Sequence, residues 1–354
     1  MDRSAGTAMS ADIAEQPEVL GRLFDVGAGA IDDVARTVRA RRPRFVLLAA
    51  RGTSDHAALY AKYLVEIRLG RPAGLVSPST LTVYGARPDL TDVLLIAVSQ
   101  SGRSPDLLGT VEAARACGAL TVAVTNDPDS AVASAAELHV DLAAGVERAV
   151  AATKTYTAEL LALYLLVAAI ADGVAGEAAS AAARVPELAG QVLARSAGPV
   201  EALAPRYRFA ERMLTTGRGY AYPTAREAAL KIMETSYLPA QAFSGADLLH
   251  GPLAVVDAEM PVIAVVPRGR AGAAMRPVLD RLVEGRADVV VVGDVAAAPT
   301  GSGFGAGIAL PEIAEELSPI LEILPLQLLA RDLAVARGGD PDAPRGLSKV
   351  TETW

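Results

Sequence analysis

Val93-Leu94-Leu95-Ile96-Ala97-Val98, then Ser99-Gln100-Ser101-Gly102-Arg103-Ser104, then Pro105 to Ala116, is the stretch on which the fold turns. Six apolar residues without alternation read as a strand buried on both faces, the kind a parallel sheet contains. Pro105 falls at a natural first helical position, with Ser104 as its N-cap. The segment therefore reads strand, turn, helix. The same unit precedes it: Phe45-Val46-Leu47-Leu48-Ala49 is a strand, Arg51-Gly52-Thr53-Ser54-Asp55 a turn, and His56 to Arg68 a helix. Leu120 to Val124 is the next strand and Leu138-His139-Val140 a short one. Strands alternating with helices at this spacing specify a parallel sheet with helices on both faces.

A fainter copy follows. Glu177 to Ser196 is Ala-rich and helical, with a break expected at Pro186. Met213 to Thr216 echoes the Phe45 strand, Gly217-Arg218-Gly219 the Gly52 turn, and Pro223 to Glu234 the helix after it. Pro261 to Val266 and Val289 to Val292 supply further strands, and Ile313 to Ala336 a helical region expected to be interrupted at Pro319 and Pro325. Two related α/β halves account for the pattern. The expected division is a helical segment over 1–34, an α/β domain over 35–175, a helical linker over 176–204, a second α/β domain over 205–340 and a tail over 341–354.

Composition narrows the class. The chain has 354 residues, Lys+Arg 33 against Asp+Glu 41, and a net charge of −8. An acidic balance argues against nucleic acid as a partner, which requires a positive field. Mean hydropathy is high at +0.31. Yet the longest apolar run, Leu160 to Ala171, lies between Glu159 and Asp172 and falls short of the roughly 20 residues a membrane span needs. No apolar stretch follows Met1 as in a signal peptide. The single cysteine, Cys117, leaves no disulfide framework and no cysteine zinc site. A soluble cytoplasmic protein without membrane partner, metal or cofactor is expected.

Four segments carry candidate chemistry. In Ser99 to Ser104, three hydroxyls and a glycine lie before a helix N-terminus, whose free N–H groups and dipole favour an anion. Ordinary turn chemistry gives the same composition, but Gly52, Thr53 and Ser54 end another parallel strand on the same edge, where doubly wound sheets bind ligands. No nucleotide-binding glycine pattern is present. Glu227, Lys231 and Glu234 share one helical face. Such a run is normally solvated, but Ala228, Ala229, Leu230, Ile232 and Met233 surround it, and apolar surroundings push a carboxyl pKa upward toward proton-transfer range. His250 precedes a Gly251-Pro252 break, where a loop can present it; His139, in an apolar strand, reads as structural. The tail Asp342-Ala343-Pro344-Arg345-Gly346-Leu347-Ser348-Lys349 has a Pro and Gly placement that suggests a defined path.

Taken together, Glu15-Gln16-Pro17, Gly52-Thr53-Ser54, Ser99-Gln100-Ser101-Gly102, Ala152-Thr153-Lys154, Ala228 to Lys231, His250-Gly251-Pro252, Pro325 to Leu329 and Pro344 to Lys349 resemble the two-SIS-domain phosphosugar isomerase family. The likeness is to the isomerase half of glucosamine-6-phosphate synthases and to stand-alone hexosamine-phosphate deaminases, and it covers nearly the whole chain. It implies two tandem flavodoxin-like, doubly wound domains. It implies that Thr53, Ser99, Ser101 and Ser104 hold a sugar phosphate, with Gly52, Ser54 and Ser348 in the same binding set. Gln100 would contact the sugar, and Val150, Ala151 and Ala152 would line its site. Glu234 would move the proton between C1 and C2, with Lys231 close by. His250, contributed by the partner in a homodimer, would assist ring opening, and Lys349 would form an imine with the ketose. Arg103, Ala152 and Met233 depart from the family pattern at positions that bear on which hexose fits. The chain begins about where the synthase linker would be, and Cys117 lies inside the first α/β half, so glutamine hydrolysis is not expected. The implied activity is deamination of glucosamine or galactosamine 6-phosphate. Alternatives are a fructosamine-6-phosphate deglycase, the isomerase part of a transaminase and a non-catalytic sugar-phosphate sensor.

Overall fold

The structure, a computed structural model, describes residues 5–172, 177–298 and 304–349. Ten strands form two five-stranded parallel sheets among the described residues. The first contains β1 (Phe45–Ala49), β2 (Ala73–Leu75), β3 (Val93–Ser99), β4 (Leu120–Thr125) and β5 (Leu138–Asp141), in the order β2-β1-β3-β4-β5. The second contains β6 (Met213–Gly217), β7 (Ala240–Ser244), β8 (Pro261–Val266), β9 (Asp288–Gly293) and β10 (Phe304–Ala309), in the order β10-β9-β8-β6-β7. Read from the opposite edge, the second order is the first repeated. Both are the flavodoxin-like 2-1-3-4-5 arrangement, whose switch point lies between its first and third strands. The duplication read as pattern in the sequence is thus a duplication of topology.

Each sheet belongs to a compact unit that is discontinuous in the chain. Of the described residues, 16–147, 154–172, 177–186, 348 and 349 form the first-sheet unit; 5–15, 148–153, 187–298 and 304–347 form the second-sheet unit. In the first, Leu95, Ala97, Leu107, Val111 and Ala123 pack into the core. Helix Lys154–Asp172 lies against helices Ala28–Arg41 and Thr53–Leu64. That helix is long and apolar enough to cross a membrane, but 89% of its apolar window is buried in the protein, as a core helix requires. In the second, Val262, Ala264, Val289, Val291, Leu279 and Leu282 form the core. There helix Ala221–Ser236 packs on helix Ser318–Ala336.

Three expectations need correction. Pro325 does not interrupt the last helix: Ser318–Ala336 is continuous, and Pro319 occupies its first turn. Proline removes one intrahelical N–H bond, and this helix is buried along nearly its whole length, so packing outweighs the loss. The helix after β1 starts at Thr53, not His56, because Gly52 adopts φ +57 and turns the chain at once. Ser104 stands at the N-cap position, but its side chain makes no capping hydrogen bond.

Candidate anion turn and acid–base cluster

In the first-sheet unit β1 and β3 pair through Ala49 and Ala97 at the switch point; β1 ends there, and β3 runs on to Ser99, which pairs with Thr125. The Ser99–Ser104 turn is built by its own hydroxyls. Ser99 Oγ accepts the Gly102 N–H at 3.2 Å, and Ser101 Oγ accepts that of Arg103 at 3.3 Å. Each hydroxyl therefore uses a lone pair internally and keeps its proton for another acceptor. Gly102 adopts φ +61, and a Cβ there would stand 2.1 Å from Ser130 Oγ, so only glycine fits. Ser104, 8% exposed, buries an Oγ that has no hydrogen-bond partner, an arrangement that a ligand acceptor would complete. Gln100 is half-buried, and its carbonyl accepts the Asn126 N–H at 3.1 Å. Thr53 is half-buried at the head of its helix. Ser54 turns inward and donates to Glu159 Oε1 at 2.7 Å in the core. His139 meets Thr125 Oγ1 at 2.8 Å; burial lowers its pKa, with Asp141 and Asp127 opposing.

The second-sheet unit holds the acid–base cluster on helix Ala221–Ser236. Lys231 is 1% exposed, with its Nζ 3.4 Å from Glu227 Oε1 and 2.5 Å from Glu234 Oε2. Glu227 is fully buried, whereas the Glu234 side chain remains 23% exposed. The run is thus not a solvated face: one ammonium links an inner carboxylate to an outer, reachable one. Gly217 lets this helix start against the end of β6; a Cβ there would lie 2.6 Å from the Ala221 carbonyl oxygen. Val150, Ala151 and Ala152 belong to this unit, on a loop fixed by Asp12. This carboxylate is fully buried and accepts the N–H groups of Arg148 and Ala149, each at 2.8 Å. At the loop's far end, Gln327 Nε2 donates to the Thr153 carbonyl at 3.2 Å.

His250 is exposed, immediately after helix Gly245–Leu249 and before Gly251 at φ +125. The tail takes a defined course. Asp340 and Asp342 accept the N–H groups of Gly6, Ala8 and Met9 at the start of helix Thr7–Ala14. Arg345 donates its N–H to Tyr237 Oη at 2.6 Å and stacks its guanidinium 4.7 Å over the same ring. Ser348, exposed, and Lys349, half-buried, group with the first-sheet unit, the unit of the Ser99–Ser104 turn.

Several residues escaped the sequence reading. Asp12 and Asp106 are short acids without periodic signature. Glu322 was detectable by the argument applied to Glu234: a lone acid among Pro319, Ile320, Leu321, Ile323 and Leu324. Burial pushes its carboxyl up from 4.5 to about 7, against the opposing hydrogen bonds from Ser318 and Thr224. No group of three or more His, Cys, Asp or Glu suited to a metal ion occurs among the described residues.

Comparison with known proteins agrees with this architecture. A family model described as SIS domain matches residues 41–169 and 207–337. The isomerizing glutamine–fructose-6-phosphate aminotransferase of Pseudomonas aeruginosa is 34% identical over 360 residues, covering 96% of this chain and 58% of that protein. The chain thus spans under two thirds of that relative's length. The crystal structure of a protein from Silicibacter pomeroyi, described as a candidate phosphosugar isomerase, superposes with a TM-score of 0.85. It is 33% identical, with 95% of this chain and 100% of that one covered. A glucosamine-6-phosphate deaminase from Thermotoga maritima shares the fold, with a TM-score of 0.77 at 20% identity over 98% of this chain and 100% of its own.

Proposed function

The chain belongs to the SIS-domain family, and on that premise we propose that it is a phosphosugar isomerase and deaminase acting on an amino sugar phosphate. The substrate is glucosamine 6-phosphate or galactosamine 6-phosphate, and the products are the ketose 6-phosphate and ammonia. The observation that carries the reading is the cluster on helix Ala221–Ser236, a buried ammonium joining a sealed glutamate to an accessible one. A binding module has no need of such a group; proton transfer does.

The chemistry follows from the residues. His250, supplied across a homodimer, assists opening of the sugar ring. Glu234 takes the C2 proton of the open aldose, the electron pair forms the C1–C2 double bond, and the carbonyl oxygen takes up a proton, giving an enol-amine. Glu234 returns its proton to C1 while the nitrogen gives up one N–H proton, replacing the one taken up by the oxygen, and an imine is left at C2. One water hydrolyses it, so that amino sugar phosphate plus water becomes ketose phosphate plus ammonia. Lys231 holds Glu234 by its charge, and Lys349 can take the ketose carbonyl as an imine. The Ser99, Ser101 and Ser104 hydroxyls with Thr53 hold the phosphate; Gln100 and the Val150–Ala152 loop contact the sugar. A cytoplasmic location belongs to the same proposal.

The test is incubation of the purified protein with each amino sugar phosphate, measuring ammonia and ketose. Release from at least one is expected, and Glu234→Gln should abolish turnover while sugar-phosphate binding persists. No ammonia from either substrate by a folded protein refutes the proposal. Release of an amino acid from a fructosamine 6-phosphate instead would assign the deglycase activity. Sedimentation showing only monomer in an active preparation would remove His250 from the partner's site.

A further inference from the structure

Apart from Arg103, whose guanidinium pairs with Asp127, the Ser99–Ser104 turn offers an anion neutral donors, and a carboxylate, Asp106, sits in the first turn of the helix it opens. An acid there suits the helix dipole but opposes a second anion at the same terminus. The structure answers this with Arg51. Its Nε donates to Asp106 Oδ2 at 2.9 Å and its Nη2 donates to the same oxygen, while Asp106 Oδ1 accepts the Thr82 hydroxyl at 3.0 Å. Asp106 is 3% exposed and engaged at both oxygens, so it is a rigid anchor for the guanidinium. Arg51 itself stays 47% exposed, and its Nη1 has no acceptor among the described residues. Arg51 thus contacts the first turn of the helix that Ser104 precedes, and Ala49, two residues before it, pairs with Ala97, two residues before Ser99, on adjacent strands about 4.8 Å apart.

We infer that Arg51 is a specificity-determining residue for a doubly charged phosphate monoester: anchored by Asp106 and Thr82, it cancels the Asp106 charge and presents its remaining N–H donors to the phosphate at the Ser99–Ser104 turn. The inference rests on the reading of that turn as the phosphate site. Arginine suits the task because its planar fork can hold a carboxylate on one edge and a phosphate on another. Arg103, by contrast, is 67% exposed and paired with Asp127 at 3.0 Å, on a side chain with no buried anchor.

The probe is inorganic phosphate, titrated into the full chain by calorimetry, so the result does not depend on turnover. Arg51→Ala is expected to weaken phosphate binding by about 10- to 100-fold, the range for hydrogen bonds to charged groups. Arg51→Ala with Asp106→Asn should recover part of that loss, because the uncompensated carboxylate is gone. Arg51→Lys should fall between wild type and Arg51→Ala, and Arg103→Ala should lose less than about threefold. Raising the pH from about 6 to about 8, across loss of the second phosphate proton, should tighten binding to wild type but not to Arg51→Ala. Binding by Arg51→Ala within twofold of wild type overturns the inference and leaves the phosphate turn standing. No phosphate binding by wild type overturns both. A purely structural role would lower the thermal midpoint of Arg51→Ala and leave the pH profile of its binding parallel to wild type, which also overturns it.

Discussion

Glu322→Gln should make the second-sheet unit more stable, by an amount that grows as pH rises from about 4.5 to about 7 and is constant above that. Glu322 is fully buried in helix Ser318–Ala336, where Ser318 Oγ donates to Oε1 at 2.7 Å and Thr224 Oγ1 donates to Oε2 at 3.0 Å. Burial raises its carboxyl from 4.5 to about 7, the two hydroxyls restrain the rise, and Glu315 adds to it. Between those values the folded chain holds a proton that the unfolded chain has released. Stability must therefore fall as pH rises through this window, being fully present below about 4.5 and lost above about 7. At 1.36 kcal/mol per pH unit the whole effect is on the order of 3 kcal/mol. Glutamine stays neutral, accepts one hydroxyl with its carbonyl and donates to the other with its amide. Urea denaturation of both proteins at several values from about pH 5 to about pH 8 is the assay. The two should nearly coincide at the acid end, and the variant should gain roughly 2–3 kcal/mol at the alkaline end with an unchanged m-value. Parallel curves would refute the reasoning.

Gly102→Ala should damage the proposed phosphate turn directly. The position has φ +61, and the new methyl would meet Ser130 Oγ at 2.1 Å and Ser130 Cβ at 2.5 Å. We expect phosphate affinity to drop by more than about tenfold while the circular dichroism of the two sheets persists; unchanged affinity would show that the turn does not hold the anion. Tyr237 should hold the tail through two contacts that variants can separate. Tyr237→Phe loses the acceptor for the Arg345 N–H but keeps the ring beneath the guanidinium, and Tyr237→Ala loses both. Tryptic cleavage after Arg345 should accelerate slightly in the first and several-fold in the second, and equal rates in all three proteins would contradict the contact.

What the sequence revealed, and what it hid, follows from where burial leaves a mark. The central strands β3, β4, β8 and β9 are covered on both faces, so their apolar runs were plain to read. The strands it missed, β2, β7 and β10, are all sheet edges. Ala73-Gly74-Leu75 is three residues long, Ala240-Gln241-Ala242-Phe243-Ser244 is only partly buried, and β10 carries Gly305 and Gly307. Edge strands are held by one neighbour and lack the composition that marks a core strand. The candidate site divides the same way. Ser99 to Ser104 and the Glu227–Lys231–Glu234 run are local, so spacing reveals them. The Asp106 anchor for Arg51 and the Asp12 grip on Arg148 and Ala149 join residues far apart in the chain, which no local pattern encodes.

The duplication also bears on the proposal that one turn, and not two, takes an anion. By strand order β8 is the counterpart of β3, so Pro267-Arg268-Gly269-Arg270 is the counterpart of the serine turn. It has no hydroxyls. In their place Glu315 reaches in from its own unit, accepting the N–H groups of Arg270 at 3.1 Å and Ala271 at 2.6 Å. Its Oε2 fills the space in which a Cβ on Gly269 would lie, 2.6 Å away. The backbone donors that a phosphate would need there already have a carboxylate. In the first-sheet unit the corresponding donors come from serines, and Ser104 Oγ is left without a partner. Two copies of one topology have thus taken opposite electrostatic solutions. One closes its turn with an internal anion and carries the Glu227–Lys231–Glu234 cluster on its first βα connection; the other leaves Ser104 Oγ without a partner at its turn, with Arg51 bound to Asp106 on the helix that follows.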